Sequence, residues 1–440
     1  MRFILLILVF FSLINASSQE NVYPAKENKG IIFIKNATIH VGNGKVIENG
    51  TVKINNSKIE QVGADIAVAG GDNVIIVDAK GKHVYPGLIL PVSSLGLVEV
   101  SAIRATTDVR EIGEMNPSVR TIVAYNADSK VINTVRSNGI LLANIVPQGN
   151  LLAGISSVVQ LDAWNWEDAA YKTDGGVHLY MPSLISPPRS GGTSSENGSQ
   201  KNEPDPLKED LNKVEEVKAF FREAKAYHDG ESHSETNVKF NSVKGLYNKT
   251  QKLYVHASSV KQMLVALDFI EEFGFDLVIV GGGESWQIAD LLKQHNVSVI
   301  LQEPHRLPSN KDEDVDQPYK TAAILQKAGV LFSISDGSMM SRGRNLAFNA
   351  GTAAAYGLSK EEALQSITLN AAKILGVEDK TGSIEPGKDA NIVISEGDIL
   401  DMRSSIVTDA FIQGRKIDLN DKQKQLYERY IKKYNLKKPF

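Results

Sequence analysis

Between about Tyr85 and Val377 the chain alternates short apolar runs with helix-like segments, and this alternation constrains its fold more than any other feature. Asp276-Leu277-Val278-Ile279-Val280 reads as a buried strand, and Ser285-Trp286-Gln287-Ile288-Ala289-Asp290-Leu291-Leu292 follows it as a covering helix. Repetition of that unit predicts parallel strands with helices packed over them. By itself the pattern does not separate a closed barrel from an open, doubly wound sheet. Upstream, from Gly30 to Val84, runs such as Ile31-Ile32-Phe33-Ile34, Thr51-Val52-Lys53-Ile54 and Val74-Ile75-Ile76-Val77-Asp78 are punctuated by Asn49-Gly50, Asn55-Asn56 and Gly70-Gly71. Close spacing with such turn residues predicts antiparallel hairpins. Strand-like text returns at Ala390 to Ile394 and Val407 to Ile412, before a predicted helix over Asp421 to Tyr434. One small sheet domain built from both chain ends, flanking the alternating region, is therefore expected.

Composition narrows the class. A chain of 440 residues, 42% hydrophobic and 23% charged, has the makeup of a globular protein with a large core. Its formal net charge of −4 gives no electrostatic reason to expect nucleic acid or an anionic membrane as partner, so a small molecule is the expected ligand. The chain has no cysteine, which excludes disulfides, thiolate metal sites and a cysteine nucleophile. Residues 1–18 combine Arg2, an apolar run from Phe3 to Ile14 and the small residues Ala16-Ser17-Ser18. That is the pattern of a cleaved secretory signal peptide, too short to span a bilayer, and it predicts a periplasmic or secreted protein without a stable membrane anchor. A polar, glycine-rich stretch between Pro187 and Pro206 has too little apolar surface to offset its ordering entropy. It reads, with the charged helical pattern from Leu211 to His228, as an insertion in the alternating region, its loop falling near 187–210.

Three motifs then carry a family resemblance. Val84-Tyr85-Pro86-Gly87-Leu88-Ile89-Leu90-Pro91-Val92-Ser93-Ser94 resembles the first barrel strand of the amidohydrolase superfamily, where Pro-Gly-Leu-Ile-Asp runs into a metal-binding His-x-His. Thr368 to Gly376 is similar to that family's last barrel helix, and Thr381-Gly382-Ser383-Ile384-Glu385-Pro386-Gly387-Lys388-Asp389-Ala390 is similar to its closing turn and strand. Their order and separation bracket residues 30 to 418 and point to the imidazolonepropionase-like group. The resemblance implies an α/β fold: a distorted (β/α)8 TIM-like barrel over 86–377 beside a small β-sandwich from 30–85 and 378–418, with 419–440 a helical tail.

In the family, one or two divalent metals sit at the C-terminal ends of the strands, polarise the scissile carbonyl and acidify a bound water, while a last-strand aspartate handles the proton. The His-x-His positions are Val92 and Ser94 here, neither of them an imidazole, and Gly281-Gly282-Gly283 replaces the sixth-strand histidine. His256 matches the fifth-strand histidine, although a histidine at a strand end also reads as a hydrogen-bonded structural residue. Asp336 falls at the family's general base, or else is a turn or cap residue. Glu303 and His305, following the apolar run Val297 to Leu301, could rebuild a site with His256 and Asp336, two histidines and two carboxylates that would suit zinc or a similar metal, or form a polar loop held by its prolines.

Asp108, Arg110 and Glu111 form a polar cluster after the first strand that could bind substrate, or simply be solvated. Trp164 and Trp166 fall on one face if their segment is extended, which predicts core packing. No nucleotide-binding glycine motif or serine elbow is present. The expected activity is hydrolysis of a non-peptide C–N bond in a cyclic amide or dipeptide-like molecule, with one divalent metal or none. The alternative is a catalytically inactive binding protein or subunit, as a homo-oligomer or paired with an active amidohydrolase.

Overall fold

The computed structural model describes residues 22–149, 151–184, 205–230, 235–308, 310–337 and 340–437. The signal peptide expected over 1–18 and most of the expected loop lie outside the described residues.

Two eight-stranded sheets organise the chain. The first comprises β1 (Ile31–His40), β2 (Val46–Asn55), β3 (Lys58–Gly63), β4 (Val74–Asp78) and β5 (His83–Pro86) from the N-terminal side. From the C-terminal side it takes β14 (Ile392–Ser395), β15 (Val407–Ile412) and β16 (Arg415–Lys416). Strand β1 is the fork. Its first half pairs in parallel with β4 and its second half with β5, while β2 runs antiparallel along its other edge. Alternate inward side chains, among them Ile32, Ile34, Ile39, Val52, Ile54, Ile392, Ile394 and Phe411, close a separate apolar core. The junction of the two chain ends is β14 against β5, with Ile392 opposite Pro86.

The second sheet follows chain order from β6 (Leu88–Ser93) through β7 (Ile140–Ile145), β8 (Leu152–Gln160), β9 (Ala170–Tyr180), β10 (Lys252–Ala257), β11 (Leu277–Gly281) and β12 (Ser298–Leu301) to β13 (Phe332–Ile334). The strands from β9 to β13 are parallel, as are β6 and β7. This is a nearly closed barrel, as expected, with one reversal: β8 is antiparallel to both neighbours. The reason is loop length. A parallel return needs a dozen or more residues, and the connections on either side of β8 are shorter than that. A loop strand covers β8 instead, Val119 accepting from the Ile155 amide at 2.7 Å. Gly154 permits the approach, since at φ +134° a Cβ would lie 2.5 Å from the Val119 carbonyl oxygen.

The helices named below are α1 (Lys130–Arg136), α2 (Pro206–Asp229), α3 (Val260–Phe273), α4 (Gln317–Ala328), α5 (Leu346–Ala355), α6 (Lys360–Ser366), α7 (Leu369–Leu375) and α8 (Lys422–Tyr434). Helix α2 covers the charged pattern anticipated from Leu211. A capping box at Ser259 and Gln262 starts α3, and Gly274 in the left-handed conformation ends it. Lys172 and Lys252, at the N-terminal ends of β9 and β10, donate to the last-turn carbonyls of α7, where cations complement the helix dipole.

The tryptophan expectation is corrected. Asn165 caps a short helix, Trp166–Ala169, by accepting from the Asp168 amide. The chain therefore turns between the two indoles: Trp166 packs against the core, whereas Trp164 is exposed beside Tyr23.

Candidate functional site

The mouth of the barrel lies where β6, β9, β10, β11, β12 and β13 end, because parallel strands deliver their following loops to one face. Two groups of chemically capable side chains stand on these strands and loops.

The deeper group is aromatic. Residues two apart on β9 and β10 share a face, and the parallel register sets His178 beside Tyr254 and Tyr180 beside His256. Tyr254 stacks on His178 at 4.9 Å between ring centroids, and Tyr180 stacks on His256 at 3.8 Å. Nδ1 of His178 and Nε2 of His256 lie 3.0 Å apart, so one ring donates to the other. Burial depresses both: His178 falls well below the ordinary 6.5 and His256 to about 3, so the pair is neutral at pH 7. Nε2 of His178 is buried with no hydrogen-bond partner among the described residues. Nothing in the sequence marked His178, which sits inside an ordinary strand run; only the pairing of β9 with β10 shows it.

The second group stands at the end of β13. Asp336 is 1% exposed, and its Oδ2 accepts from Asn349 Nδ2 on α5 at 2.9 Å. Its Oδ1 accepts no hydrogen bond but lies 3.3 Å from Arg342 Nε, and Nη1 of the same guanidinium lies 3.6 Å from Glu303 Oε1. Burial raises the Asp336 pKa above the ordinary carboxylate range; Asn349 and Arg342 pull against it, Glu303 adds to the rise, and His305 pulls it down. His305 is anchored on α5: Thr352 Oγ1 donates to the Phe348 carbonyl and so must accept from His305 Nε2, 2.8 Å away. Arg342 and Asn349 had not been singled out from sequence.

The structure thus gathers Asp336 and Glu303 around Arg342, with His305 close enough to act on Asp336 electrostatically. His256 instead engages His178. Asp108, Arg110 and Glu111 have exposed side chains on the loop after β6, a loop tied down by main-chain bonds from Asp108 to Leu97 and from Gln148 to Val109.

The donor set does not fit the family's metal centre. Val92 contributes only its carbonyl, which accepts from Ser335 Oγ at 3.2 Å. Gly281 and Gly282 take left-handed backbone at the end of β11 and carry no donor side chain. His256 has one ring nitrogen committed to His178. Among the described residues no three His, Asp or Glu side chains converge as metal donors, so His256, His305 and Glu303 do not meet as one ligand set. Larger clefts exist away from the mouth, one of about 500 Å³ between Tyr23, Arg136 and Trp164, but neither carboxylate cluster nor histidine pair opens into it.

Residues 283–417 match the amidohydrolase family. An imidazolonepropionase from Thermoplasma volcanium is 42% identical over 86 residues, 19% of this chain and 21% of that protein. The chain thus spans about a fifth of the length of the curated relatives it matches. An amidohydrolase from Thermotoga maritima superposes with a TM-score of 0.74 at 26% identity, covering 88% of this chain and 99% of that one. A zinc-bound adenosine deaminase from Xanthomonas campestris shares the fold, with a TM-score of 0.51 at 16% identity over 92% of this chain and 98% of that one. The amidohydrolase resemblance and the barrel-plus-sheet architecture read from the sequence are both borne out.

Proposed function

Because the chain carries the amidohydrolase fold and, over residues 283–417, amidohydrolase-family sequence, we propose that it hydrolyses a non-peptide C–N bond in a small cyclic amide or dipeptide-like molecule, with Asp336 as the base. The observation that carries this reading is a buried carboxylate of raised pKa whose Oδ1 accepts no hydrogen bond and sits beside a guanidinium at the end of the last barrel strand. Such a carboxylate keeps more basicity than a solvated one, and it stands on the strand end that leads to the mouth.

In the proposed step, Asp336 takes a proton from water as the water oxygen bonds to the substrate carbonyl carbon. Arg342 supplies the positive charge beside which the new oxyanion, or a carboxylate of the substrate, is held. Asp336 then returns the proton to the departing nitrogen as the C–N bond breaks. Asn349 fixes the carboxylate by its bond to Oδ2, and Glu303 holds the far end of the guanidinium. Asp108, Arg110 and Glu111, free to reach solvent on the loop after β6, are proposed to contact the distal part of the substrate. No step passes through a metal, since the donors present do not fit the family's centre.

The signal-like pattern at residues 1–18 supports export to the periplasm or beyond. A specific observation also favours a second role. The His178–His256 bond and the non-ligating Val92 and Ser94 suit a binding protein or subunit that uses the same mouth without turnover, as a homo-oligomer or beside an active relative. Assay of the purified protein on cyclic amides, N-acyl amino acids and Xaa-Pro dipeptides, together with metal analysis, separates the two. Turnover that an Asp336→Asn variant loses while staying folded supports hydrolysis. Absence of turnover on every substrate, with saturable binding of one of them, establishes the binding role. Stoichiometric zinc that disappears in His256→Ala would overturn the metal-free assignment.

A further inference from the structure

The chain's mild overall charge conceals a local reversal at its C-terminal helix. Helix α8 carries five cationic side chains, Lys422, Lys424, Arg429, Lys432 and Lys433, against the single carboxylate Glu428, a net +4 on a chain whose formal total is −4; the remainder therefore stands at −8. At 100° per residue, Leu426, Tyr427, Tyr430, Ile431 and Tyr434 fall within one sector of the helix and the cations fall outside it. Most of that sector faces away from the protein; Ile431 alone of the five is half-buried. Leu426, Tyr427, Tyr430 and Tyr434 are 37%, 47%, 54% and 59% exposed, and α8 has no buried residue. The helix is held at its root instead. Asp421 caps it by accepting from the Lys424 amide and also accepts from Ser137 Oγ at 2.7 Å, while Gln423 accepts from Thr134 on α1.

We propose that α8 docks the protein reversibly on an anionic phospholipid surface. The tyrosine face would enter the headgroup layer, with the flanking lysines on lipid phosphates. Three observations select this occupant. An exposed aromatic and aliphatic face bordered by cations matches the two zones of a bilayer interface, where tyrosine places an apolar ring and a polar hydroxyl at once. A second copy of the helix would bring one +4 surface against another. Thirteen residues are too few to span a bilayer, which restricts the helix to lying on the surface; no helix among the described residues is long and apolar enough to cross one. The inference is independent of what the barrel mouth does.

The test is sedimentation of the full purified chain with vesicles of phosphatidylcholine alone and of phosphatidylcholine mixed with phosphatidylglycerol, at low and high salt. Binding is expected only to the mixed vesicles, and it should weaken with salt. Each basic side chain at such a surface strengthens binding about fivefold, so Lys432→Glu with Lys433→Glu should weaken it at least about 25-fold. Tyr427→Ser, Tyr430→Ser and Tyr434→Ser together should weaken it roughly tenfold while leaving the charge intact. All these side chains are exposed, so an unchanged thermal midpoint verifies that the variants fold. The proposal is overturned by no binding, by equal binding to both vesicle types, by insensitivity to either set of substitutions, by release with a single-stranded oligonucleotide, or by a dimer that the tyrosine substitutions dissolve.

Discussion

Replacing Asp162 with asparagine should destabilise the whole fold, although the change is nearly isosteric and far from the barrel mouth. The Asp162 side chain is 0% exposed; Arg136 from α1 is 4% exposed and Arg415 from β16 is 13% exposed. Oδ1 accepts from Arg136 Nη1 at 2.6 Å, and Oδ2 accepts from Arg415 Nη1 at 3.0 Å and from the Ala25 amide at 2.9 Å. Every neighbour is a donor. An asparagine must turn its NH2 toward one side of this set, which leaves donors facing donors and takes the paired carboxylate from both guanidinium groups, that of Arg136 buried and that of Arg415 partly buried. Removing one member of a buried ion pair costs about 3–5 kcal/mol. Arg415→Met leaves Arg136 and Ala25 on the carboxylate and should cost less, about 1.5–3 kcal/mol for a charged hydrogen bond. Chemical denaturation followed by tryptophan emission, with Trp164 and Trp166 next to the site, reads the difference as a midpoint shift at constant slope. An Asp162→Asn variant within about 1 kcal/mol of the parent, or an Arg415→Met variant that is the less stable of the two, would refute this account.

Asp336→Asn should lower turnover by about 10²–10⁴-fold; because burial raises the Asp336 pKa, the parent's rate should fall on the acid side as that raised pKa is crossed, and a flat profile sinks its role as base. His178 and His256 both hold folded values below 6.5, His256 at about 3, so the unfolded chain gains protons first as pH drops. Stability present above about pH 6.5 should decline as pH falls, by about 1.4 kcal/mol per pH unit for His256 on the way toward pH 3, with His178 adding to the decline, and urea titrations at stepped pH should show a shallower decline in His178→Phe/His256→Phe. In Val92→His/Ser94→His, zinc binding should tighten about 5–150-fold when His178→Phe is added, because His256 then needs no broken bond of about 1–3 kcal/mol to turn toward a metal; calorimetric titration that finds weaker binding would make His178 a ligand instead. Gly351→Ala on α5 would set a Cβ 2.2 Å from the Leu400 carbonyl oxygen and should cost about 1–3 kcal/mol by thermal unfolding.

The architecture was legible wherever periodicity and connection length speak locally. Leu277 to Val280 is a continuous apolar run because β11 is buried on both faces, and Asn55-Asn56 marks a real break between β2 and β3, whereas Asn49-Gly50 lies inside β2, where left-handed Asn49 accompanies an irregularity in the pairing with β1. Strand direction was harder to read. The reversal at β8 follows from short connections, information present in the sequence but masked by the family pattern of uniform βα units. The turn that splits Trp164 from Trp166 depended on whether Asn165 would cap a helix, and a capping residue is equally at home in an extended loop.

Legibility of the site divides along the same line. Asp336, Glu303 and His305 follow strand runs, and a residue just past a parallel strand must emerge at the mouth, so their approach to one another could be anticipated without knowing any side-chain direction. Arg342 reaches Asp336 only through the path of the turn between β13 and α5, which no spacing rule fixes. His178 was invisible for a different reason: its role comes from the register of β9 against β10, a relation between segments more than seventy residues apart. The Val92 carbonyl accepts from the Ser335 hydroxyl, and a Cβ on Gly337 would lie 2.7 Å from the same oxygen, so a side-chain hydrogen bond and a close approach link the ends of β6 and β13, which do not pair as neighbouring strands. With His256 held by His178 on β9 and the Val92 carbonyl by Ser335, hydrogen bonds made by side chains join barrel strands at two of the places where the resemblance puts metal ligands.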